Sequence, residues 1–192
     1  MNHLLITGVP GVGKTTVVQK ALEQLSGVPA AGFVTEEVRK DGRRIGFDVI
    51  SLGGERAPLA RVGGGGGGGG ARRPMVGQYA VDVASFERVA LPALSARAAG
   101  GHRLLVLDEI GKMELLSSRF QSAVRAALDP AAGVTLVATI PVAGGRPQSG
   151  LLAQLRARSD ARLLEVTREN RAAAVGEVVR FVRDRLARSS ES

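Results

Sequence analysis

The chain has 192 residues, a net charge of +8 and no cysteine, with 44% apolar and 3% aromatic residues. The length suits one domain with its own core over residues 1–192, and the missing cysteine excludes disulfides, thiolate catalysis and cysteine zinc sites. No apolar run nears the roughly 20 residues of a membrane span, and so few rings argue against nucleic-acid stacking. The expectation is a monomeric cytoplasmic protein without membrane or nucleic-acid partners.

His3-Leu4-Leu5-Ile6-Thr7 reads as a short buried strand, and no signal peptide is expected ahead of it. Gly8-Val9-Pro10-Gly11-Val12-Gly13-Lys14-Thr15 follows, with Thr16 next, and fits the phosphate-loop spacing G-x-x-x-x-G-K-[ST]. Its glycines let the backbone curl so that successive N–H groups point at phosphate oxygens. Lys14 supplies a mobile point charge for the β- and γ-phosphates, and the Thr15 hydroxyl suits Mg²⁺. Val17, Val18, Ala21, Leu22 and Leu25 then recur at helical spacing, so a helix N-terminus faces the anion.

Gly32 to Leu52 reads as a β-hairpin turning at Asp41-Gly42, with Ile45, Phe47 and Val49 on one face of the return strand. Its early position breaks the βαβ rhythm and suggests a flap near the site. Glu36 and Glu37 either face a ligand or are solvated strand-edge carboxylates. Gly63 to Gly70 is a run of eight glycines, expected as a flexible loop. Between Arg61 and Arg72-Arg73 it reads as a low-complexity expansion or as a closing lid, and no function rests on it.

Tyr79 to Val83 predicts a strand, and Ser85 to about Arg97 a helix with Pro92 inside it. Leu104-Leu105-Val106-Leu107 is a buried strand ending in Asp108-Glu109, the pattern of a Walker B strand. Asp108 is then the Mg²⁺ carboxylate and Glu109 the general base for the attacking water. In Ile110-Gly111-Lys112-Met113-Glu114-Leu115, Lys112 is a candidate for neutralising transition-state charge, and Glu114 for orienting Lys112 or a water. The same residues fit a surface turn closed by a local ion pair. Ser117 predicts a helix cap before Phe120, Ala123, Val124, Ala127 and Leu128, with a stop at Asp129-Pro130.

Val134 to Thr139 is the next buried strand, whose terminal Thr139 either senses a γ-phosphate or caps a turn. Arg146, in the loop from Pro141 to Gln148, is an arginine-finger candidate among many arginines. A short helix around Leu151, Leu152 and Leu155, a strand at Leu163 to Val166 and an amphipathic helix through Val175, Val178, Val179, Val182 and Leu186 complete the chain. Residues 188–192 are expected to be unstructured, and His3 and His102 structural. The alternation predicts an α/β fold: a mostly parallel sheet with helices on both faces, into which the β-hairpin is inserted.

With both motifs in hand, the sequence resembles the cancer-related nucleoside-triphosphatase family, close to its vertebrate members. GVPGVGKTT, GFVTEEVRKDGRRIGFDVISL, VGQYAVDVASFERVALPAL, LLVLDEIGKMEL, ATIP and VTRENR carry the likeness. The resemblance implies a single-domain P-loop NTPase fold and slow Mg²⁺-dependent hydrolysis of ATP, GTP, CTP and UTP to diphosphate and phosphate, with loose base selectivity. It implies nucleotide contacts from Gly8, Val9, Pro10, Gly11, Val12, Gly13, Lys14, Thr15 and Thr16, and from Asp108, Glu109, Ile110 and Gly111, with Asn170 and Arg171 near the base. The octaglycine departs from the more varied loop of the family. Two other readings stay open: a kinase passing the γ-phosphate to a nucleoside, nucleotide or RNA end, and a slow nucleotide switch for a partner.

Overall fold

The computed structural model describes residues 1–63, 73–100, 103–144 and 150–190. Gly64 to Gly70 of the octaglycine, Arg72, His102 and Arg146 lie outside them. The strands are β1 (His3–Thr7), β2 (Ala30–Lys40), β3 (Arg43–Ser51), β4 (Arg56–Val62), β5 (Met75–Val76), β6 (Tyr79–Val81), β7 (Leu104–Asp108), β8 (Thr135–Thr139) and β9 (Ala161–Glu165). The helices are α1 (Lys14–Gln24), α2 (Val83–Gly100), α3 (Ser118–Ala127), α4 (Gly150–Arg156) and α5 (Arg171–Ser190). Helix α5 thus continues over part of the tail expected to be unstructured.

Among the described residues, nine strands form one sheet in the order β5-β6-β4-β3-β2-β7-β8-β1-β9. From β2 to β9 the pairs are parallel, and from β2 to β5 they are antiparallel. Strands β1, β7 and β8 are buried at every residue, which suits short apolar runs covered on both faces. On one face Phe33, Phe86 and Phe120 meet with ring centroids 5.1–5.7 Å apart, joining β2, α2 and α3. On the other face Ile6 packs with Val17 and Val18 of α1 and with Val178 and Val182 of α5. Helices on both faces are therefore borne out.

The predicted hairpin forms as β2 and β3, with Asp41 and Gly42 at φ 49° and 75°, the left-handed pair of a type I′ turn. It is built into the sheet instead of hanging from it as a flap. Ala30 to Val34 pair with β7, and the rest of β2 runs on past Asp108 beside β3. Strand β4 escapes a reading of the sequence because Pro58 sits in its middle. Pro58 is exposed and faces Asp48 where the register of β3 shifts, a place where a strand tolerates a missing N–H.

Other local signals hold. Pro92 lies inside α2. Ser117 caps α3 by accepting from the Phe120 N–H at 2.9 Å, and its hydroxyl donates to Glu87 of α2 at 2.7 Å. Asp129 and Pro130 start a 3-10 turn just after α3. His3 is buried, and its Nδ1 accepts from the Leu136 N–H at 3.2 Å, as a structural residue would. Among the described residues, no helix is long and apolar enough to cross a membrane. With β8 between β1 and β7, the sheet sets Thr139 between the phosphate loop and Asp108.

Candidate active site

The loop after β1 starts with a close approach. A Cβ at Gly8 would stand 2.5 Å from the Val166 carbonyl oxygen, so only glycine lets the chain pass the end of β9. The loop ends at Gly13, whose φ of 107° turns the backbone into α1 with no side chain capping the first turn. A first turn without a side-chain cap, together with the helix dipole, suits this loop to an anion. Lys14, the first residue of α1, is 9% exposed and folds back so that its Nζ donates to the Gly8 carbonyl at 3.0 Å.

Asp108, at the end of β7, is 1% exposed, and its Oδ1 accepts from the Thr139 hydroxyl at 2.5 Å. Burial pushes this carboxyl up, and the Thr139 and Thr15 hydroxyls, Lys14 and the Thr35 amide oppose that push. Its Oδ2 is buried without a hydrogen-bond partner among the described residues. Glu109 is half-buried; burial pushes its carboxyl up, Lys14 opposes this and Asp108 adds to it. Lys14 and Thr15, at the head of α1, thus meet Asp108 and Glu109, at the end of β7, from two places far apart in sequence.

Beyond Glu109 the chain is pinned to the sheet. The buried Ile110 donates its N–H to the Thr139 carbonyl at 2.9 Å. Of the alternatives open for Glu114, pairing with Lys112 is not what forms: Lys112 is exposed, whereas Glu114 is 5% exposed and its Oε2 accepts from the Gly111 N–H at 3.0 Å. The turn that packs Met113 and Leu115 against the core also carries Glu114 inward. Burial, with Glu109 and Asp108 nearby, pushes the Glu114 carboxyl up to about 8. Glu36 and Glu37 are strand carboxylates, bound to Arg56 and to Arg39 and Arg44 respectively.

Asn170 is occupied in the turn before α5: its Oδ1 accepts from the Thr167 N–H, and its Nδ2 donates to the Glu165 carbonyl, both at 2.8 Å. Arg171 instead borders an open groove of about 470 Å³ beside Gly13, between α1 and α5. Val17 and Val175 form its apolar part, and Thr16, Lys20 and Gln24 its polar part. Nothing in sequence spacing joins Lys20 to Arg171; packing of the two helices does.

Two shifted groups predict a pH profile of stability. Burial lowers His3 from 6.5 to about 4, so the unfolded chain holds the extra proton between these values and stability falls as pH drops through them. Glu114 has the opposite sign. It rises from 4.5 to about 8, so the folded chain holds the proton and the stability it supplies fades as pH rises to 8. The two oppose each other between 4.5 and 6.5, and of the two only Glu114 acts above 6.5. Urea unfolding of the nucleotide-free protein should therefore show stability declining from pH 6.5 to 8, and Glu114→Gln should flatten that limb. An identical decline in the variant would refute the assignment.

Known proteins share this sequence pattern and this fold. The profile of a family described as NTPase matches residues 3–179. The cancer-related nucleoside-triphosphatase homolog of Bos taurus is 50% identical over 182 residues, covering 92% of this chain and 94% of its own. The solution structure of a human cancer-related nucleoside triphosphatase aligns with a TM-score of 0.81 at 48% identity, over 96% of this chain and 98% of that one. The crystal structure of THEP1 from Aquifex aeolicus aligns with a TM-score of 0.77 at 38% identity, over 93% and 98%.

Proposed function

From the premise that this chain belongs to the NTPase family matched over residues 3–179, we propose that it is a slow, Mg²⁺-dependent nucleoside-triphosphate phosphohydrolase of broad base tolerance. The observation that carries this reading is the meeting of Lys14 and Thr15, at the head of α1, with Asp108 and Glu109, at the end of β7. In it the loop N–H groups between Gly8 and Thr16 hold the phosphates, apart from Pro10, which has none, and Val12, whose N–H donates to the Val9 carbonyl; Lys14 leaves the Gly8 carbonyl for the β- and γ-phosphate oxygens.

The donor set suits a hard cation. Asp108 keeps a buried oxygen without a partner among the described residues, the Thr15 hydroxyl lies beside the same carboxylate, and oxygen donors are what Mg²⁺ prefers. Thr15 and Asp108 would hold Mg²⁺, which when bound neutralises charge on the phosphates. Glu109 accepts a proton from water as the water oxygen bonds to the γ-phosphorus and the bond to the nucleoside diphosphate breaks. Lys112, exposed on the following turn, is the candidate for meeting the γ-phosphate from the solvent side.

The groove between α1 and α5 takes the nucleoside. It begins at Gly13 and Thr16, where the phosphates end, and Arg171 offers a planar cation that stacks on any base. Stacking does not read a base edge, which supports turnover of ATP, GTP, CTP and UTP alike. Phosphate release from each of the four with Mg²⁺ tests the reading. Rates within about tenfold of one another are expected from stacking alone, and a strict preference for one base would overturn the tolerance.

A further inference from the structure

Glu109 lies half-buried, yet its carboxylate makes no hydrogen bond among the described residues. Its direction is set by what it lies on. A methyl group built at Gly111 would stand 2.6 Å from Glu109 Oε1, 3.2 Å from Glu109 Cγ and 3.1 Å from Glu114 Oε2. The Glu109 side chain therefore folds back over the bare Cα of Gly111, with the Glu114 carboxyl against the same atom. The Gly111 peptide is held by the Glu114 carboxyl, through its N–H, and its carbonyl accepts from the Leu115 N–H at 3.0 Å.

A carboxyl so deeply buried is costly, and an apolar side chain would suit the neighbouring Met113 and Leu115 better. What Glu114 supplies is an acceptor for the Gly111 N–H. We propose that Glu114 is a positioning residue for Glu109: by fixing the Gly111 peptide it makes a floor that aims the Glu109 carboxylate at the water attacking the γ-phosphate. Gly111 is part of the same device, because any side chain there would lift Glu109 off that floor. The inference rests on the reading of Glu109 as the base.

The test is a double-mutant cycle on the full chain, reading kcat and KM for ATP with Mg²⁺ and the Kd of a non-hydrolysable ATP analogue. Glu114→Ala and Gly111→Ala should each lower kcat roughly 10- to 100-fold, the scale of a misplaced reacting group, with the analogue Kd unchanged. Glu114→Gln keeps an oxygen for the Gly111 N–H and should stay within about threefold of wild-type kcat. In a Glu109→Gln background, neither alanine should cost anything further. Gly111→Ala gives the same cycle without removing the buried carboxyl, should Glu114→Ala fail to fold.

Equal losses in the two backgrounds, a loss carried by KM and Kd, or a Glu114→Gln as slow as Glu114→Ala would overturn the positioning role. If Glu109→Gln alone kept the wild-type rate, the base assignment would fall and this inference with it. A slow Glu109→Gln made slower still by Glu114→Ala would leave the base assignment standing and reject only the role of Glu114.

Discussion

Lys14→Ala should lower phosphate release on the order of 10²–10³-fold, the effect of removing one preorganised cation from a developing oxyanion. Lys14 is buried at the head of α1, and its charge acts on both Asp108 and Glu109. Lys20, Lys40 and Lys112 are all exposed, and none of them lies in the loop that wraps the phosphates. Lys14→Arg should not restore the rate. The ammonium points back at one carbonyl inside a closed loop, whereas a guanidinium is planar, forked and larger. Steady-state phosphate release with unfolding as a control checks both variants, and near-normal turnover by Lys14→Ala would remove the phosphate loop from the chemistry.

Glu109→Gln should separate binding from turnover. Glutamine keeps the length and the seat over Gly111 but cannot accept a proton, so kcat should fall roughly 10²–10⁴-fold while nucleotide affinity with Mg²⁺ holds. Burial already raises this carboxyl, which brings a base nearer to the working pH. A filter-binding Kd beside single-turnover hydrolysis reads both quantities. Affinity collapsing together with rate would make Glu109 a metal ligand or a structural residue.

The parts of this site that are legible in the sequence are those whose chemistry demands a residue type at a fixed spacing. Gly8 to Thr15 must be contiguous to curl around phosphate, and Asp108 must follow an apolar strand to stand at its edge. The Asp41-Gly42 turn is legible for the same reason, since few residue pairs take two positive φ angles. Strand β4 is hidden by Pro58, and the pairing of Ala30 to Val34 with β7, which builds the hairpin into the sheet, is a long-range contact that the hairpin's own pattern does not encode. Glu114 misleads because Lys-Met-Glu reads as a surface ion pair. Only the packing of Met113 and Leu115 shows that it turns inward. The groove at Lys20 and Arg171 joins helices from opposite ends of the chain, a contact no local pattern encodes.

The most direct test of the central claim asks whether water receives the γ-phosphoryl group. The purified chain, Mg²⁺ and ATP are incubated in ¹⁸O-water without any acceptor, and the released phosphate is analysed by mass. The account predicts phosphate in step with diphosphate, carrying one solvent oxygen per turnover. Bound ATP that yields no phosphate until a hydroxyl acceptor or a partner is added would contradict it and point to a kinase or a switch.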